Sequence, residues 1–214
     1  MNLGKKEIWS IVAAVLLMAV IISFMENELK MSVFLSSLLI SAIIFSVSVL
    51  SKKLFAYSID VEIRQKLWEF RRFWITSWAY LRKPIPIGLI LPVLLAFLSG
   101  GAIKFFAFLQ FESRAMPSKA VKKYGMSRYS GSLMEKDDAL IVFYSTLPVL
   151  ILSIAVSFSN LIFLENLSKY ALIYAVSNLL PLGKLDGTRL FFGSRGLFTF
   201  TWVLVIITAL TIAF

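Results

Sequence analysis

Apolar runs long enough to cross a bilayer, separated by short clusters of charge, constrain this chain more than any other feature. Ile8 to Met25 and Val33 to Leu50 are each about 18 residues, the length a helical span needs. Glu26–Lys30 joins them, so the two form a transmembrane hairpin over residues 1–50. Lys5 and Lys6 precede the first run in the manner of a secretion signal, but no small-residue cleavage site follows, and the run is expected to be retained. The chain is 59% hydrophobic and only 16% charged, whereas soluble domains carry about a quarter charged residues. These features predict an all-α, multi-pass protein of the cell membrane, with the lipid bilayer as its first partner.

The net charge of +10 lies in segments beside the spans. There it sets orientation and meets anionic lipid, so nucleic-acid binding is not expected. Lys and Arg concentrate in 51–83 and 112–138, which places both loops, and the N-terminus, on the cytoplasmic side. Within 51–83, Phe55 to Arg64 alternates apolar and polar residues and predicts a strand. From Gln65 to Leu81 the period changes: Leu67, Phe70, Trp74, Trp78 and Leu81 form a helical stripe among Arg71, Arg72, Arg82 and Lys83. Trp and Tyr flanked by Arg favour the headgroup layer, so this stretch predicts a helix lying on the membrane.

Pro84 to Phe111 is too long for one ordinary helix, and Gly100–Gly101 divides it. Two short membrane segments, Pro84 to Leu98 and Ala102 to Ala115, would return the chain to its starting side. Ala139 to Leu164 predicts a span containing Pro148, with a tight exterior loop at Glu165–Lys169. Tyr170 to Leu182 predicts a short return broken at Pro181, and Gly196 to Phe214 a last span. The total is about seven membrane segments. The organisation is 1–50, the hairpin; 51–83, the interfacial strand and amphipathic helix; 84–195, a core; and 196–214, a C-terminal transmembrane helix.

The chemistry-bearing stretch is Asn178-Leu-Leu-Pro181-Leu-Gly-Lys-Leu-Asp186-Gly187. An acid in an apolar, helix-broken segment is costly and calls for a reason. Pro181 removes a backbone donor, and the freed backbone groups must line a cavity or meet protein. This stretch resembles the second signature of the site-2 protease family of intramembrane zinc metalloproteases, which reads Asn, two residues, Pro, four residues, Asp-Gly. The resemblance makes Asp186 the third zinc ligand and places Asn178, Pro181 and Gly187 in the motif.

The family's first signature, H-E-x-x-H at the end of a membrane helix, aligns with Phe111-Glu112-Ser113-Arg114-Ala115. Glu112 takes the general-base position, as a vestige; Phe111 and Ala115 take the places of the two ligands. Lys122-Lys123-Tyr124-Gly125 resembles the basic tail of that helix. Pro84–Ile87 and Asp138 to Ile154 resemble the first and third core helices. The resemblance covers roughly 84–195, and Phe191–Arg195 is similar to a stretch of archaeal peptidase-like membrane proteins.

This chain has no His and no Cys. Zinc needs about three protein ligands and an open position. Asp186 and Glu112 supply two carboxylates, which suit harder ions and hold them weakly when so few. No zinc or other cofactor, and no metal-dependent hydrolysis, is therefore expected. Lys104, Arg114 and Lys184 are the cations nearest in sequence to replace the missing charge beside Asp186 or Glu112. Ser113 and Ser177 sit in no Ser–Lys motif, and the glycines form no phosphate loop. The expectation is a catalytically inactive pseudoprotease that binds or scaffolds a transmembrane or extended segment of another membrane protein, with the strand over 55–64 as one docking edge. Alternatives are an active intramembrane metalloprotease with unusual or partner-supplied ligands, and a small membrane transporter.

Overall fold

In the computed structural model, residues 4–26, 30–72, 80–115, 135–159 and 162–213 are described, the side chains of 71–72, 80–83, 115 and 162 excepted. Among the described residues, four helices are long and apolar enough to cross a membrane. They are α1 (Lys5–Met25), α2 (Met31–Ser58), α4 (Glu135–Ser157) and α7 (Arg195–Ala213). Between them lie α3 (Ile87–Leu98), α5 (Ile162–Leu179) and α6 (Asp186–Gly193). Hydroxyls inside the apolar helices bond back to their own backbone, as Ser41 does to Ser37 O and Thr208 to Leu204 O. Between α4 and α5 they cross instead: Ser153 donates to Ser168 O at 2.8 Å and Ser168 to Ser153 O at 2.7 Å. Small side chains let these two backbones approach, as membrane helices favour.

Four expectations need correction. α2 runs on to Ser58, past the predicted boundary at Leu50, and takes up the first half of the predicted strand. Phe55 stacks on Tyr144 at 4.2 Å and Ala56 is buried, so packing against α4 outweighs the period-two pattern. The strand β1 (Val61–Leu67) starts only after Asp60, whose φ of +66° turns the chain.

The interfacial helix over 65–81 is replaced, where described, by strand. β1 continues to Leu67, and β2 (Phe70–Arg72) pairs antiparallel with β3 (Tyr80–Ile85). Trp68 explains why. It is buried against Phe105, Ala107 and Leu185, its backbone N–H donates to Phe108 O, and its backbone carbonyl accepts from Gly88 N. Those long-range bonds override the helical spacing. Phe73, Trp74 and Trp78 lie outside the described residues, as do Asn27, Glu28, Leu29 and the predicted tail Lys122–Gly125.

The third correction concerns 102–115, expected to be helical. β4 (Leu109–Ala115) is a strand paired antiparallel with β1, Gln65 opposite Phe111 and Arg64 opposite Glu112. Residues 102–108 lead to it with no helix. The predicted reversal itself is present: Gly100 and Gly101 adopt φ of +58° and +86°, values that suit glycine. α3 spans about 18 Å at 1.5 Å per residue, and seven extended residues cover about 23 Å. An extended leg therefore retraces α3 with far fewer residues. Such a leg cannot face lipid, and Phe106, Ala107 and Phe108 are fully buried. The Phe106 N–H finds Ser177 Oγ at 3.0 Å.

The predicted loop Glu165–Lys169 is helical, closed by an i,i+4 ion pair of the kind that supports helices.

Candidate functional site

The Asn178–Gly187 stretch joins α5 to α6 by a tight break. α5 ends at Leu179; Leu182 N–H bonds Leu180 O and Leu185 N–H bonds Leu182 O, with Gly183 at φ +58°. α6 then starts at Asp186, where a carboxylate suits the positive end of the helix dipole. A Cβ on Gly187 would lie 2.0 Å from Leu179 O, so only glycine lets the start of α6 abut the end of α5.

This break buries Asp186 at 4% exposure. Its Oδ2 accepts from Lys52 Nζ, which comes from the last third of α2 and is equally buried. Its Oδ1 has no hydrogen-bond partner among the described residues. A cavity of about 10 Å³, room for about one water, lies beside the pair, lined by Ser48, Ser145, Thr146, Tyr174 and Asn178 among others. Most of these polar groups are engaged: Tyr174 donates to Ser48 Oγ at 3.0 Å, Ser145 and Thr146 to Val142 O, and Asn178 to Tyr174 O at 2.9 Å.

A second cation approaches from α6. Arg189 donates to Asp138 Oδ2 and to Phe111 O, both at 2.5 Å, and stacks 4.0 Å over the Phe111 ring. Lys52 Nζ lies 5.8 Å from the same ring, so Phe111 presents its face to two cations.

No protein-family model matches the chain, and no curated protein or solved structure matches it.

Of the residues singled out in the sequence, the structure brings together Asn178, Asp186 and, through Lys52, Phe111. Glu112 is not with them. Successive strand residues face opposite sides, so Glu112 sits on the face of β4 away from Phe111. There it pairs with Lys66 at 2.8 Å. That bond holds its carboxyl below the usual range, outweighing partial burial, with Lys66, Arg114 and Lys184 adding to the field. Lys104, Arg114 and Lys184 are exposed. Lys104 lies 5.7 Å from the ring of Tyr170. The cation at Asp186 is Lys52, and the one at Glu112 is Lys66.

The first-signature alignment loses its geometry on a strand. Residues four apart rise about 6 Å on a helix and share a face, but about 13 Å on a strand. Positions 111 and 115 cannot converge on one ion. Among the described residues no three His, Cys, Asp or Glu groups converge. The donors present do not fit a catalytic zinc: Asp186 is occupied by an ammonium and Glu112 lies across the sheet. Ser177 accepts from Phe106 N–H and donates to Ile173 O, a structural role.

Sequence reasoning missed Lys52 and Lys53, which read as orientation charges. Lys53 is buried with Glu7 at 2.7 Å, and Glu7 Oε1 also accepts from Gln65 N–H at 3.1 Å. The available signal was Ser48 and Lys52 four apart at the end of an apolar run, hence on one helix face. Arg189 and Asp138 carried no comparable signal.

Proposed function

We propose that this membrane protein is a non-catalytic relative of the site-2 protease fold that binds or scaffolds segments of other membrane proteins. One observation carries the reading: the Asp of the Asn-Pro-Asp-Gly stretch is engaged by Lys52, a permanent internal cation, at a break between two helices. An ammonium in contact with the carboxylate supplies the positive charge that an ion would otherwise supply, and it needs no imidazole or thiol. The resemblance rests on Asn178, Pro181, Asp186 and Gly187 alone, since 111–115 is a strand. Gln65 N–H on the outer edge of β1 is already taken by Glu7, and Phe111 O on the outer edge of β4 by Arg189. Strand addition is thereby hindered at that rung. The exposed turn Pro181–Lys184 is the better contact, with Leu182 offering an apolar side chain at 44% exposure.

Elemental analysis of the purified chain, with an assay against transmembrane peptides, tests the non-catalytic part. No stoichiometric zinc and no cleavage are expected; one zinc per chain with Asp186-dependent cleavage would defeat it. Photocrosslinking from position 182 in native membranes tests the binding part. A discrete polypeptide adduct is expected, and lipid adducts alone would count against it. Transport is the second reading, favoured by the buried ion pair with an unpartnered Oδ1. A cavity of about 10 Å³ is far from a continuous path, so transport ranks below binding.

A further inference from the structure

α1 and α3 end at one level but do not start at one. Phe24 stacks on Phe97 with ring centroids 5.1 Å apart, and a Cβ on Gly101 would lie 3.3 Å from Met25 Cγ. From that shared level α1 runs back 21 residues, about 31 Å. α3 runs back only 12 residues, about 18 Å. A hydrocarbon core is about 30 Å thick, so α1 crosses it and α3 starts about 12 Å short of its other face.

Along α3 the exposed residues Ile90, Leu94, Phe97 and Leu98 suit acyl chains. What precedes α3 does not. β3 leads into it at Ile87, and the sequence sets Arg82 and Lys83 in β3 and Arg71 and Arg72 in β2. The β2–β3 sheet has two strands, so each keeps one edge without a strand neighbour among the described residues. Hydrocarbon tolerates neither open strand edges nor such a density of cations.

A second landmark gives the same depth from α5. Tyr170 donates to Glu26 Oε1 at 3.3 Å, which sets that part of α5 beside the end of α1. Leu179, where α5 stops, lies about 14 Å further in. The turn that follows, Pro181–Lys184, is exposed at every residue. It is level with the start of α3, because both abut one indole: a Cβ on Gly183 would lie 3.3 Å from Trp68 Nε1, and one on Gly88 2.9 Å from Trp68 Cβ. An exposed lysine, an exposed turn and the base of an open sheet thus lie near the middle of a flat bilayer.

We propose that this protein thins the bilayer beside α3, drawing phospholipid headgroups of the leaflet next to the start of α1 down to the level of Ile87. Headgroup phosphates accept from Lys184, and the water they carry meets the strand edges and the Pro181–Lys184 turn. The exposed groups at that level are cationic or polar, which matches phosphate and not an apolar protein face. Thinning costs little per Å, and one cation held in hydrocarbon outweighs several Å of it.

Nitroxide labels on the purified full chain in phosphatidylcholine vesicles test this. The chain has no cysteine, so each introduced one carries the only label. Leu16→Cys and Ile90→Cys lie at nearly equal distances from the Phe24–Phe97 contact, and both positions are exposed. In a flat bilayer their depths agree. With thinning, position 90 is expected about 10 Å shallower than position 16, and a nickel-chelating lipid should relax it several times more strongly. Leu182→Cys should be relaxed like position 90, and it decides against Leu16→Cys if the Ile90 variant fails to fold. Equal depth at 16 and 90 overturns the proposal. So does relaxation at 90 by a dissolved nickel complex but not by the nickel lipid, which would mean a water-filled crevice. Exclusion of oxygen and both nickel probes from position 90 would mean that protein, such as a second copy, covers it, and also overturns it.

Discussion

Lys52 and Lys53 are neighbours on α2, both buried and both bound to a carboxylate, yet their surroundings differ. Adjacent helical residues point about 100° apart, so Lys52 turns toward α6 and Lys53 toward α1. At Lys53 the carboxylate of Glu7 also takes Gln65 N–H, tying α1, α2 and β1 together. At Lys52 one oxygen of Asp186 is left without a partner among the described residues, beside a small polar cavity. The first pair is a fastener. The second has the features of a site: a buried acid, an unmet acceptor and a helix break. Burial of charge alone does not separate these roles; the completeness of each carboxylate's bonding does.

The largest effect should come from Lys52→Met. It strands a buried carboxylate, and breaking such a pair costs about 3–5 kcal/mol. Adding Asp186→Asn should recover most of that in denaturant unfolding in micelles; equal single and double variants would show the two groups uncoupled. Gly187→Ala should follow, at about 3 kcal/mol, because its Cβ meets backbone rather than a movable side chain. Hydrogen exchange should then rise in α6 and stay unchanged in α1, which would separate the two lysine environments directly. Glu7→Gln keeps an acceptor for Gln65 N–H but leaves Lys53 without its counter-charge, so about 2 kcal/mol is expected in the same unfolding assay.

The smallest effect belongs to the solvent-facing Lys66–Glu112 pair, below about 1 kcal/mol. The folded state lowers the Glu112 pKa. Its contribution is therefore present above the ordinary carboxyl range and is lost as pH falls through the folded value. The difference in unfolding midpoint between the parent and Glu112→Gln should shrink to nothing in acid.

The spans were legible because lipid imposes one period and one length. The expected starts at Ile8 and Gly196 and the end at Met25 match α1 and α7 to within three residues. The break at Pro181 and the turn at Gly100–Gly101 were legible because Pro and Gly punctuate locally. Of the strands, Val61–Arg64 of β1 was legible from its alternation; the rest were not, because their cause is distant: Trp68 is fixed by Phe108 and Gly88, and β4 by β1. Of the site, Asp186 could be read from its motif. Its cation could not, since Lys52 lies 134 residues away and resembles any lysine at the end of a span.

The buried return leg over 102–108 bears on how the chain is put together. Its backbone cannot bond to itself, and the Phe106 amide relies on a hydroxyl 71 residues further along. A ribosome delivers α3 well before α5 exists. Until then Phe108 O already has the Trp68 backbone N–H, but the Phe106 amide lacks its partner, and an unmet amide in hydrocarbon costs several kcal/mol. The final packing of the leg is therefore completed only when α5 is in place.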